Sequence, residues 1–334
     1  MNEGVLSSIG NTPLVRLNHV SRGCDLAVYA KLEALNPGGS IKDRAAFILM
    51  KNAIAAGRVR SDTVVVESSS GNMGIGLAQV CAYYGLRFIC VVDPKTTAQN
   101  IRLLEIYGAE VDMVVEPDAV TGEFLQARLD RVSQLIAGTE HGFWPDQYSN
   151  LDNALAHYQT MREIAEALGD EVDYLFCAAS TCGTLRGCHS YIRRHGLRTK
   201  IIAVDAVGSV IFGGERAKRL VPGHGAALRP LLYQEGLADR CIHITDLECV
   251  VGCRRLVQTE AILAGGSSGA VMSALERVKG EIAPGSTCAL ILPDRGERYL
   301  DTIYSDDWVG KYFGEVSHLW EQPLKTWECA TAVT

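Results

Sequence analysis

No apolar run in this 334-residue chain approaches membrane-spanning length, and no Lys/Arg cluster would grip a phosphate backbone. These absences set aside a membrane-spanning protein and a nucleic-acid protein. The formal charge is a mild -7. The eleven cysteines are odd in number, scattered, and contain no CxxC pair. Cys249 and Cys253 stand too far from other potential ligands to suggest zinc, so the expectation is free thiols in a reducing cytosol and no metal. Met1-Asn2-Glu3-Gly4 has neither the basic n-region nor the apolar h-region of a signal peptide, which adds to an expected cytoplasmic location. There is no low-complexity linker and no fixed-period repeat. With 47% hydrophobic residues, the chain has ample apolar surface for one or two cores.

What is present is a repeated strand–turn–helix rhythm. Val64 to Val66 form a short β-branched run, followed by a Ser/Gly cluster and a helical stretch from Gly74 to Tyr84 that Gly85 closes. Arg87–Val92 reads as the next strand, then a helix through Ile101, Leu104 and Tyr107 stopped at Gly108. A strand over Val111–Val115 and a long helix over Phe124–Ile136 follow. The pattern restarts at Tyr174–Ala178 and Ile201–Val204, and Leu290–Leu292 reads as a late buried strand. Such alternation predicts an α/β fold with mainly parallel sheets covered by helices on both faces. The polar stretch around Gly138 to Asn150 is the expected domain boundary. After Trp308 the rhythm lapses, which predicts a surface extension.

In sheets of this kind ligands sit beyond the carboxyl ends of strands, against helix N-termini. Two turns fit that geometry. Glu67-Ser68-Ser69-Ser70-Gly71-Asn72 and Ser180-Thr181-Cys182-Gly183-Thr184 each offer hydroxyls and backbone N–H groups to an anion. Taken alone, either is more often a capped helix start. A third motif, Asn36-Pro37-Gly38-Gly39-Ser40-Ile41-Lys42-Asp43-Arg44, places a lysine where a glycine loop gives way to an apolar helix, Ala45 to Ala56. Loop lysines are ordinarily just solvated.

These motifs together resemble the fold-type II pyridoxal-phosphate enzymes, which include O-acetylserine sulfhydrylase and cystathionine β-synthase. The resemblance runs from Gly10-Asn11-Thr12-Pro13-Leu14-Val15-Arg16-Leu17 to Leu292-Pro293-Asp294-Arg295-Gly296-Glu297-Arg298-Tyr299-Leu300, in family order and spacing. It implies a tryptophan synthase β-like fold of two domains. Residues 40–143 would be a small mobile domain that takes the substrate carboxylate. Residues 1–39 with 144–310 would form the large cofactor domain, and 311–334 a C-terminal extension. It also implies a homodimer acting on small amino acids, with pyridoxal 5'-phosphate on Lys42, which would later serve as acid and base. Ser69, Ser70, Gly71 and Asn72 match the loop that grips the substrate carboxylate, Asn72 also reaching the cofactor's 3′-oxygen. Ser180, Thr181, Cys182, Gly183 and Thr184 match the phosphate cradle. Ser267 matches the serine facing the pyridine nitrogen, and Gln147 a glutamine at the substrate carboxylate. A serine hydroxyl makes the ring a weaker electron sink than an aspartate would. That favours loss of a β-substituent, through an aminoacrylate intermediate, over transamination.

Departures from the sulfhydrylase pattern narrow the expectation. Ser180 and Cys182 replace two glycines of the phosphate loop, and Tyr148 stands where phenylalanine is usual. Together with Val91 to Lys95 and Asp205 to Gly213, these features resemble the branch that joins O-phospho-L-serine to L-glutamate. The product, N-(2-amino-2-carboxyethyl)-L-glutamate, leads to 2,3-diaminopropionate for siderophores or peptide antibiotics, and phosphate is released. A cysteine synthase using phosphoserine or acetylserine is the alternative, and an inactive cofactor-bearing regulatory protein stands outside the enzyme class. A departing phosphate needs a cation, and Arg229, in the turn Pro222–Arg229, is the expected one, with Arg44 as the substitute.

Overall fold

The computed structural model describes residues 4–120 and 122–321. In chain order the elements are β1 (Leu14–Arg16), β2 (Leu26–Leu32), α1 (Lys42–Ala55), β3 (Val64–Ser68), α2 (Asn72–Tyr84), β4 (Arg87–Val92) and α3 (Ala98–Ile106). Then come β5 (Glu110–Met113), α4 (Phe124–Ala137), β6 (Gly142–Phe143), α5 (Leu151–Ala167), β7 (Tyr174–Ala178) and α6 (Gly183–His195). The remainder is β8 (Lys200–Ala206), β9 (Arg240–Ile244), α7 (Asp246–Glu260), α8 (Gly266–Val278), β10 (Ser286–Leu292) and α9 (Asp306–Phe313).

The strands form two sheets. One has four strands in the order β5-β4-β3-β6, all parallel. The other has six in the order β1-β2-β10-β7-β8-β9, parallel except for β1 against β2. Both are buried on two faces, which is why their strands read as continuous apolar runs instead of alternating polar ones. On β8, Ile202 and Val204 point into the core under α7 and α8, while Ile201 and Ala203 point into the core under α5 and α6. On the smaller sheet, Val65, Phe88 and Cys90 pack with α1 and α2, whereas Val64, Val66 and Ile89 pack against Val132 of α4. Helices α7 and α8 approach through Gly252 and Gly269, where a Cβ on either would overlap the other helix's backbone. The span Gly138 to Asn150 carries β6, the last strand of the smaller sheet, and leads into α5.

Two expectations need correction. The third strand of the smaller sheet is Glu110–Met113, not Val111–Val115, and Val115 is exposed. The segment after Trp308 is not a free surface extension up to residue 321. Helix α9 continues to Phe313, Val309 is buried, and Trp320 is 5% exposed in the core beneath the six-stranded sheet. The Arg255 guanidinium donates to the Leu319 carbonyl at 2.8 and 3.2 Å, and Arg254 lies 4.7 Å over the Trp320 ring. Apolar burial and a cation–π contact hold that segment down. Residues 322–334 of the expected extension lie outside the described residues. Among those described, no helix is long and apolar enough to cross a membrane, and ten cysteines are free thiols.

Candidate active site

Lys42 is the first residue of α1, set by a loop that is stitched to the end of β10. The Ile41 N–H donates to Pro293 O at 2.7 Å, and Ser40 bridges to Asp294. Asp43 accepts the Gly38 N–H at 2.5 Å, and a Cβ on Gly38 would run into that carboxyl. A larger residue at 38 would displace that carboxyl from the turn. Lys42 is partly covered because it lines a cleft, yet its ammonium sits deep in the protein. Burial lowers its pKa, and Cys177, Cys182 and Asp294 pull the other way. A lowered pKa leaves more free amine for Schiff-base chemistry and proton transfer.

The cleft, about 160 Å³, lies at the carboxyl ends of β3, β7 and β10. Ser69, Ser70, Gly71 and Asn72 line it from the smaller sheet. The Ser69 hydroxyl accepts the Gly74 N–H at 2.9 Å and so caps α2, while Asn100 holds the Ser70 carbonyl at 3.0 Å. Ser180, Thr181, Cys182 and Thr184 line the opposite side, at the start of α6. Gly183 does not line the cleft; it is buried, and a Cβ there would strike Asn153. Cys182 is only 2% exposed and adopts φ 66°, the left-handed conformation. That backbone explains why glycine suits the position and why cysteine there carries strain. Ser267, at the start of α8, and Gly223 complete the wall.

Gln147 and Tyr148 also line the cleft. The Gln147 amide donates to Ser68 O at 3.1 Å, and its backbone N–H donates to the Glu67 carboxyl at 3.2 Å. Glu67 further accepts Trp144 Nε1 at 3.2 Å and the Ser68 N–H at 2.8 Å. Burial pushes the Glu67 carboxyl up to about 7 against those donors. The Asn72 Nδ2 donates to Asp294 at 2.8 Å and its Oδ1 accepts from Arg298, which leaves the second N–H of its amide for another acceptor. Asp294 is buried and its pKa is raised by burial, opposed by Tyr299 and Asn72.

The arginines are where the structure departs most from expectation. Arg229 does not line the cleft; it is exposed, with its guanidinium 4.9 Å over the Tyr233 ring. Arg44 is locked elsewhere, bonded to Glu33 at 2.7 Å and 2.8 Å and to Glu163 at 2.6 Å and 2.7 Å. The cation that does face the cleft is Arg128 of α4, absent from the sequence reading. It is buried, ion-paired with Asp93 at 3.2 Å, and its Nη1 has no hydrogen-bond partner. A signal for it existed: Arg128 falls on the buried stripe of α4 with Val132, where a charge is unusual.

The cleft-lining residues include Lys42 and Arg128 and no carboxylate. Such a lining suits ligands carrying phosphate and carboxylate groups. Pyridoxal phosphate fits it: Thr181, Thr184 and the start of α6 suit its phosphate, and Lys42 its aldehyde. The buried Oδ1 atoms of Asn153 and Asp294 and the Ser268 hydroxyl lack partners, on residues that bond or adjoin the lining residues Thr181, Pro293 and Ser267.

The fold is that of fold-type II pyridoxal-phosphate enzymes. O-acetylserine dependent cystathionine β-synthase from Helicobacter pylori is 29% identical over 91% of this chain and 99% of its own, with a TM-score of 0.85. A hydrogen sulfide-producing enzyme from Fusobacterium nucleatum is 31% identical over 90% and 98%, TM-score 0.83. The cysteine synthase of Entamoeba histolytica is 30% identical over 91% of each chain, TM-score 0.84, and an O-ureido-L-serine synthase 29% over 92% and 98%, TM-score 0.82. The pyridoxal-phosphate dependent enzyme family matches residues 5–294, and the chain belongs to it, as an enzyme of the cysteine synthase kind whose cofactor is pyridoxal 5'-phosphate.

Proposed function

We propose that this enzyme joins O-phospho-L-serine to L-glutamate, releasing phosphate and forming N-(2-amino-2-carboxyethyl)-L-glutamate for 2,3-diaminopropionate synthesis. The observation that carries the reading is Arg128: a buried guanidinium with a free Nη1 at a cleft lined by no acid. A site for sulfide, a small nucleophile, has no need of that cation. Phosphoserine brings a leaving group with more charge than acetate, and glutamate brings a second carboxylate. Either suits Arg128, and the hydroxyls of Tyr148 and Ser180 add polar contacts for an amino-acid acceptor.

Bound pyridoxal phosphate would supply the electron sink that weakens the Cα–H and Cβ–O bonds. Lys42 holds the cofactor and, released from it, takes the Cα proton and later returns it. The backbone N–H groups from Ser69 to Asn72 receive the substrate carboxylate at the start of α2. Ser180, Thr181, Cys182 and Thr184 would hold the cofactor phosphate at the start of α6, with Gly183 buried behind them, and Ser267 would meet the ring nitrogen. Residues 40–143 move as a small domain onto the larger one when the carboxylate binds, shutting out water. The working unit is a homodimer in the cytoplasm.

Purified enzyme given phosphoserine with glutamate or with sulfide, and read by product mass, tests the reading. Glutamate adduct is expected, and Tyr148→Phe with Ser180→Gly weakens the preference for glutamate. Equal or better use of sulfide selects the cysteine synthase reading, which the likeness to the Entamoeba histolytica enzyme favours. No product with either acceptor, from phosphoserine or from acetylserine, would leave a regulatory protein.

A further inference from the structure

Strands β8 and β9 place three potential metal ligands on one face of the six-stranded sheet, none of them among the residues that line the cleft. In the parallel register His243 stands opposite Asp205 and Cys241 opposite Ala203. Cys241 and His243 are two residues apart on β9, so both side chains leave the sheet on the same side. The intervening Ile242, with Val204 and Ile244, faces the opposite core. The Asp205 carboxylate, Cys241 thiol and His243 imidazole each offer an atom within 4.8 Å of the other two.

The polar atoms in this cluster are poorly satisfied. Asp205 is 0% exposed, and while its Oδ1 accepts the Ala206 N–H at 2.8 Å, its Oδ2 has no hydrogen-bond partner. His243 Nε2 likewise has none, and the two atoms lie 3.9 Å apart. That gap is too long for a hydrogen bond. Two ligand atoms bound tetrahedrally to one zinc ion sit about 3.3–3.6 Å apart, so this pair would close by about half an ångström and no pair of the cluster, all within 4.8 Å, by more than about 1.5 Å. Burial raises the Asp205 pKa, with Ser209 and neighbouring N–H groups pulling back. Burial, followed by the charge of Asp205, pushes Cys241 up to about 12. Arg219 feels the same carboxylate, but its Nη1 is donated to the His224 carbonyl at 2.9 Å. A dication would offset the unfavourable burial of both anionic forms at once. Cys241 and His243 are only partly buried on the edge strand, so an ion has a way in. Gly214 lies over the imidazole edge, its Cβ position 3.5 Å from Nε2.

We propose that Asp205, Cys241 and His243 bind one zinc-class divalent ion, with water as the fourth ligand. The mixed carboxylate, thiolate and imidazole set is borderline-soft and selects zinc over magnesium or calcium. The ion would fasten the edge strand to the carboxyl end of β8. The phosphate loop leaves the sheet there, since the Ala179 N–H donates to Val204 O at 2.8 Å. The role is structural support behind the cofactor cradle, and no step of the reaction passes through the metal.

The test uses cofactor-loaded enzyme, equilibrated with zinc chloride, desalted and measured for zinc by elemental analysis. Wild type should keep one zinc per chain, unmoved by excess magnesium. Cys241→Ser and His243→Asn, which leave the active site alone, should each weaken zinc binding by at least the roughly 10–100-fold that even an outer-shell change produces. Zinc should also slow alkylation of Cys241 in the wild type, as read by peptide mass, a measurement that does not depend on either variant folding. Wild type without zinc, variants that keep it equally well, or Cys241 alkylation unaffected by zinc would each overturn the proposal.

Discussion

The two anion loops of the cleft share one plan and differ in finish. Each follows a parallel strand, carries serine or threonine, and opens a helix. The loop after β3 is partly open, with Ser70, Gly71 and Asn72 half-buried, and space around Gly71 is free. The loop after β7 is closed. Thr181, Cys182, Gly183 and Thr184 are all buried, Cys182 is held left-handed, and Asn153 packs against Gly183 and bonds Thr181 at 3.2 Å. The contrast fits a ligand that comes and goes on one side and a resident cofactor on the other. Rigidity suits the resident group, because a preformed cradle loses no ordering entropy on each turnover.

Lys42 stands between the loops, and removing it should have the largest effect. Lys42→Ala is expected to abolish product formation and the visible absorbance of the bound cofactor. Retained β-replacement activity would end the assignment.

Arg128 extends the open side, and Arg128→Met should slow phosphate release from phosphoserine by about tenfold to a hundredfold. That corresponds to the roughly 1.5–3 kcal/mol of a charge-assisted contact. Stopped-flow rates with acetylserine provide the control. An equal loss on both donors would make Arg128 a structural partner of Asp93 only.

Glu67 lies beneath the open loop and gives it a pH dependence. Its folded pKa of about 7 is raised above the ordinary carboxylate value. Its contribution is therefore full below about 4.5 and is lost as pH rises through about 7. Between pH 5 and 8 the wild type should lose about 2–3 kcal/mol relative to Glu67→Gln, measured by urea unfolding at each pH. Parallel curves for the two proteins would show that Glu67 ionises normally. Asp43, also raised to about 7, contributes to both curves alike.

The smallest effect sharpens the closed side. Cys182→Val should cost about 1–2 kcal/mol in thermal stability, because a β-branched residue resists a left-handed backbone. Cys182→Gly should stay within about 1 kcal/mol of wild type, as relief of strain offsets the lost thiol packing and added chain entropy. A valine variant as stable as the glycine one would mean that the loop is not held left-handed.

Much of the fold was legible because its signals are local. Arg87–Val92 and Tyr174–Ala178 were read with their observed limits, since buried parallel strands are short unbroken apolar runs between turn residues. The segment around Trp320 was misread because docking depends on a pocket built by α7, more than fifty residues earlier. The arginines show the same division. Nothing near Arg44 or Arg229 in the chain tells that neither meets the cleft, and the one local hint at Arg128 is its place on the buried stripe of α4. Arg44 is claimed by Glu33 and Glu163, and Arg229 rests on Tyr233.

By itself, the sequence determined the parallel α/β architecture, the lysine at the head of α1 and the two loops at strand ends. Hydrophobic period and turn chemistry act over a few residues and survive in any one-dimensional reading. Only the tertiary structure decided which cation faces the cleft, which carboxylate lies beneath the open loop, and that a cysteine stands in a left-handed turn. Each of those depends on partners brought together across tens of residues by packing, and no local pattern encodes that distance.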